Sequence, residues 1–204
     1  MLPIHPLDSD TDLDPVADAE WNVTIFSSTS LFGDIITPID PRSVAQGHKI
    51  SVYKYPLDAN RLGYLDWDDT GAFIVVNSNN NVSNYGFSPQ QRYTIACGLG
   101  YFYYIQRLNF PQVKQNCYMS NFYKTDIEGN YVKSFATTLL MPEKAVRAKF
   151  DMLKNLDTDM HDTFGISHTI EALAHIFNVS EEAMGKRLFD ILPPPLGVGR
   201  MSML

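Results

Sequence analysis

The stretch "SPQQRYTIACGLGYFYYIQ" (88–106) constrains this chain more than any other. Ser88 is a natural N-cap, Pro89 suits the first helical position, and Gln91 three residues on completes a capping box. From there Ile95, Ala96, Leu99 and Tyr103 continue an apolar helix to about Leu108, where "NFPQ" stops it. A helix apolar nearly all round has no face to give to water, so it runs through the core and the other elements must wrap it. Gly98 and Gly100 each cost roughly 1 kcal/mol against Ala in a helix interior. Their presence predicts that another backbone or side chain approaches closely there.

Ahead of this helix, "HKISVYKYPL" (48–57) alternates around Ile50, Val52, Tyr53 and Tyr55, as a half-buried strand does. "GAFIVVNS" (71–78) is a short β-branched run, the pattern of a more fully buried strand. The turn-rich "DWDDTG" between them predicts an antiparallel pair. Residues 21–39 read as irregular with at most one strand, and 77–89 as loop. After the core helix, the sequence predicts a helix over Tyr131–Leu140 and an amphipathic helix after Pro142 through Val146, Phe150 and Leu153. Two short helices follow, "TIEALAHIF" and "EEAMGKRLFDI", joined by "NVS". Ile170, Leu173, Ala174 and Phe177 form the buried face of the first, and Ser180 caps the second.

Charge is unevenly placed. Eight acids and no Lys or Arg precede Arg42, including Asp8, Asp10, Asp12 and Asp14; the remainder holds 15 acids against 16 bases. That balance argues against a basic surface built for phosphate backbones. Residues 1–20 read as a flexible acidic arm, and Asp8, Asp10, Asp12 and Asp14 become candidates for contact with a basic partner. The two cysteines, Cys97 and Cys117, read as buried thiols of a reducing compartment. No apolar run is long enough for a membrane span, and "MLPIHPLDSDTD" lacks the regions of a secretory signal, so a cytoplasmic location is expected.

Four segments in order carry a resemblance: "FIVVNS", "SPQQRYTIACGLGY", "FATTLLMPEKAV" and "IEALAHIFNVSEEAMGKRL". Over about residues 50–191 the chain resembles the ImmA/IrrE family of zinc metallopeptidase-like phage and mobile-element regulators. The resemblance implies an α+β fold: a zincin-like minimal domain with a small antiparallel sheet on a core helix, followed by C-terminal helix-turn-helix-like helices. It divides the chain into an arm (1–20), the zincin-like domain (21–156), the helical segment (157–192) and a flexible tail (193–204). The family's chemistry rests on H-E-x-x-H in the core helix, with two histidines on one face binding zinc and the Glu activating a metal-bound water. Those positions correspond here to Cys97, Gly98 and Tyr101, and the third-ligand region to Gly129, Asn130 and Tyr131, with Glu128 out of register.

Gly98 cannot move a proton, and a phenol with pKa near 10 is a poor zinc ligand. The expectation is therefore a member without zinc and without catalysis: a pseudo-metallopeptidase that binds and sequesters a partner protein. By the resemblance that partner is a helix-turn-helix repressor of a phage or mobile element in a bacterial host. The vestigial face at Cys97, Gly98 and Tyr101, with Tyr104 one turn along, reads equally as the remnant of the binding cleft, with Tyr101 and Tyr104 its contact residues, or as aromatics that only fill the emptied pocket. Three alternatives stay open: a divergent hydrolase using Cys97 or a relocated metal site, a DNA-binding regulator, and a toxin–antitoxin component. Direct DNA contact is disfavoured because the second short helix begins Glu181, Glu182 and offers only Lys186 and Arg187.

Overall fold

The computed structural model describes residues 14–26, 38–79, 86–108, 117–120, 127–156 and 163–192. In chain order these form α1 (Pro15–Phe26), α2 (Pro41–Gly47), β1 (Ser51–Tyr55), β2 (Arg61–Asp68), β3 (Gly71–Asn77), α3 (Pro89–Arg107), β4 (Cys117–Ser120), α4 (Ile127–Leu140), α5 (Glu143–Leu156), α6 (Thr163–Phe177) and α7 (Glu181–Ile191). The architecture is α+β, with a four-stranded sheet of order β1-β3-β2-β4 covered by the core helix α3.

The sheet is mixed, which corrects the expectation of an antiparallel one. β1 and β3 run parallel, Val52 opposite Ile74, while β2 pairs antiparallel with both β3 and β4. The "DWDD" segment ends β2 and opens its hairpin to β3, so two chain reversals separate β1 from β3 instead of one. Two reversals restore the original direction. Asn77, fully buried at the end of β3, holds the β1–β2 connection in place. Its side-chain amide donates to the carbonyls of Leu57, Asp58 and Arg61, and its Oδ1 accepts from Leu57 N at 3.1 Å.

The core helix begins as its sequence predicts. Ser88 Oγ accepts from Gln91 N at 3.3 Å and Gln91 Oε1 accepts from Ser88 N at 3.1 Å. Gln91 Nε2 also donates to Asn77 O at 3.0 Å, tying the helix start to the strand before it. Both expected close approaches are present. A Cβ on Gly98 would lie 2.8 Å from Ile74 Cδ1, and one on Gly100 would lie 3.2 Å from Val132 Cα. Gly98 thus lets α3 settle on the sheet, and Gly100 lets α4 cross it closely. Tyr103 then stacks on Phe135 with centroids 5.2 Å apart.

The N-terminal region is the largest departure. Residues 15–20, expected to be arm, begin helix α1, and Asp18 and Ala19 are fully buried. Asp14 Oδ1 caps α1 by accepting from Val16 N at 2.9 Å and Ala17 N at 3.0 Å. α6 likewise starts earlier than expected, at Thr163 instead of Thr169. Three arginines bind α6–α7 to the body. Arg92 Nε donates to Asn178 O at 3.2 Å, Arg187 Nε to Met141 O at 3.1 Å, and Arg147 to Ile191 O. No described helix is long and apolar enough to cross a membrane. Asp8, Asp10 and Asp12 and the tail from 193 lie outside the described residues.

Candidate functional site

Cys97, Gly98 and Tyr101 lie in consecutive turns of α3, over the sheet and beside α4. All three are interior: Cys97 is 7% exposed and Tyr101 6%. Burial pushes the Cys97 thiol up to about 12, although its hydrogen bond with Tyr93 and the charge of Lys133 pull the other way. A thiol in that state is protonated at neutral pH and is no nucleophile. Two histidines of the chain have partners elsewhere. His168 sits on the surface of α6 beside Glu171, and His48 is buried in a different cluster; His161 lies outside the described residues. The buried, protonated thiol speaks against Cys97 as a hydrolase nucleophile.

The zinc implied by the resemblance does not fit these residues. Cys97 offers one sulfur in its neutral form, Gly98 offers nothing and its Cβ space is taken by Ile74, and Gly129 adds no donor. One donor does not make a site. Among the described residues, no three His, Cys, Asp or Glu side chains group to hold a metal ion. Glu128 stands in the first turn of α4.

Burial also corrects the expected contact surface. Tyr101 offers almost no area to a partner, and half-buried Tyr104 packs on Tyr131 with ring centroids 5.4 Å apart. Tyr101 and Tyr131 fill the interior, and Tyr104 lies at its edge. Asp14, a third candidate, is committed to the cap of α1.

The most connected polar group lies elsewhere, where α1, α2, α3 and α4 meet. Arg107, in the last turn of α3, donates through Nε to Asp18 Oδ2 at 3.0 Å and through Nη2 to Asp18 Oδ1, and the Tyr131 hydroxyl donates to Asp18 Oδ2. The Arg107 and Asp18 side chains are 4% and 0% exposed, so this ion pair is dry. Asn22, one turn along α1, donates its amide to Asp18 O at 2.7 Å. Its Oδ1 lies 2.8 Å from His48 Nε2 and 3.1 Å from the Tyr103 hydroxyl. His48 Nε2 also lies 3.0 Å from the Tyr103 hydroxyl, so the ring nitrogen, the phenol and the Asn22 amide oxygen close one buried triangle. Burial lowers the His48 pKa, and burial raises those of Tyr103, to about 12, and Tyr131. Each of the three is held neutral. Sequence reasoning missed this cluster because it assigned Asp18 to a solvated arm; the Asp14–Pro15 pair was the signal, an N-cap and a first-turn proline like Ser88–Pro89.

The two bases of the last helix both have partners within the chain. Lys186 is held 2.6 Å from Glu182, and Arg187 is turned inward to Met141.

A family model described as Peptidase_M78, IrrE N-terminal-like domain, matches residues 45–189. No curated protein matches the chain. Helix α1 and the cluster residues Asp18 and Asn22 precede the matched region.

Proposed function

The chain belongs to the family of IrrE N-terminal-like domains, and from that premise we propose that it regulates by binding and holding a DNA-binding protein, without cleaving it. One observation carries the reading: the positions that would hold zinc and the general base present Cys97, Gly98, Tyr101 and Gly129, packed into the core. Rebuilding a metal site there would require room that Ile74 and the buried rings occupy. What this chain retains is the scaffold, and a scaffold without its chemistry serves by occupying a surface of its partner. The partner fits a repressor of the helix-turn-helix type, whose basic face complements a chain of net charge −7. The acidic residues Asp8, Asp10 and Asp12 add to that complementarity.

The test has two readouts on protein purified without added metal. Elemental analysis is expected to find substoichiometric zinc after dialysis. Incubation with proteins captured from the native host is expected to leave them at full intact mass. One tightly held zinc per chain, or a captured partner recovered as defined fragments, overturns the proposal.

A further inference from the structure

Phe189 is 84% exposed, more than any other large hydrophobic residue described, and it lies on the outer face of α7. Its neighbours on that helix are unusual. Gly185 lies one turn before it, in the middle of a helix, where glycine is disfavoured against alanine. Gly98 and Gly100 are explained by what a Cβ would strike. Gly185 is not: a Cβ there would meet only Ile170 Cδ1, at an ordinary 3.8 Å. Nothing within the described fold requires a glycine at this position. A bare helix backbone beside an exposed ring is the form of a surface that something outside the fold approaches closely.

The charges around it indicate what kind of partner that is. Glu181, Glu182 and Asp190 are exposed on α7. Lys186, the one exposed base of the helix, pairs with Glu182 at 2.6 Å, which leaves Glu181 and Asp190 as the excess charge, and Arg187 is spent on Met141 O inside the fold. The surface is therefore acidic around an apolar anchor. We infer that the outer face of α7, with Phe189 as anchor and Gly185 as the point of closest approach, docks the basic surface of a DNA-binding protein. This inference rests on the sequestration reading and names the surface that performs it. Acidic side chains replace phosphates in meeting the partner's Lys and Arg groups, and Phe189 supplies apolar area that DNA does not. Helix α7 is held for this task by the Arg92, Arg147 and Arg187 bonds to backbone carbonyls.

The test uses the full chain, tagged and immobilised, with clarified lysate of the native host. Captured proteins are identified by mass and assayed for shifting a random-sequence DNA duplex. Wild type is expected to capture an intact protein that shifts the duplex and is displaced by adding it. Gly185→Gln is expected to raise the melting temperature by about 2–4 °C while capturing that protein roughly tenfold less or worse. Phe189→Ser is expected to lose capture at unchanged helical content. Equal capture by wild type and Gly185→Gln overturns the docking face and leaves sequestration standing. Wild type that captures no DNA-binding protein overturns sequestration itself. Self-association of the wild type that Phe189→Ser abolishes assigns the face to a second copy of this chain and overturns the proposed occupant.

Discussion

The Asp18 carboxylate, on a helix that precedes the matched family domain, receives both Nε and Nη2 of Arg107 from the end of the core helix. The pair is almost completely dry, and the Tyr131 hydroxyl closes the remaining side of the carboxylate. Arg107 Nη1 is buried with no hydrogen-bond partner, so the guanidinium depends on Asp18 for nearly all its compensation.

Removing one partner of such a pair strands the other charge. Asp18→Ala is expected to lower unfolding stability by about 3–5 kcal/mol, read from urea midpoints. Asp18→Ala with Arg107→Met should recover most of that loss, because two apolar groups leave no buried charge. A single Asp18→Ala variant as stable as wild type would show that α1 is not fastened this way.

His48 makes the fold sensitive to acid. Burial holds its folded pKa below the ordinary 6.5 of a histidine, so under acid the unfolded chain binds the proton more readily. Above pH 6.5 the residue costs nothing; as pH falls from there toward the lowered folded value, stability is lost. His48→Gln keeps a donor for Asn22 and removes the titration. Comparing urea midpoints at about pH 7.5 and about pH 5.5, wild type should lose more than His48→Gln. Parallel losses in the two proteins would remove His48 from the account.

Gly98 should respond to substitution in the opposite sense to Gly185. Gly98→Ala gains helix propensity of about 1 kcal/mol but drives a methyl into buried Ile74 at 2.8 Å. Overpacking of about 1–3 kcal/mol is expected to win, lowering stability, with partial rescue by Ile74→Val. The combined Cys97→His, Gly98→Glu, Tyr101→His chain should fail to fold. Soluble protein binding one zinc would refute the packing argument.

Cys97 should be chemically silent. With the thiol near 12 and the side chain buried, thiol reagents at about pH 8 are expected to label it only on unfolding. Peptide mapping separates it from Cys117. Fast labelling of Cys97 in native protein would reopen a catalytic or redox role.

What could be read in advance depended on how local the information was. The cap of α3 is written in consecutive residues, Ser88, Pro89 and Gln91, and it forms as written. The two glycines of α3 announced close contacts because a helix interior has few other reasons to hold them. β2 was overlooked because Gly63 interrupts its alternation; a Cβ there would strike Val75 O at 2.2 Å, a demand visible only once the neighbouring strand is in place. The site tyrosines could not be assigned to surface or interior, since an aromatic side chain suits both.

The sequence by itself determined the starts of α3, α5 and α7, the buried core helix, the α+β class and the absence of an H-E-x-x-H string, because each depends on residues a few positions apart. Tertiary structure decided the direction of β1 against β3, the interior place of Tyr101 and the role of Asp18. It also decided that Gly185 has room for a side chain beside Ile170 while Gly98 has none beside Ile74. Those outcomes depend on residues far apart in the chain, such as Asp18 with Arg107 and Gly98 with Ile74. A carboxylate in an acidic N-terminal run and one locked in a dry ion pair have the same local sequence; only the partner brought to it distinguishes them.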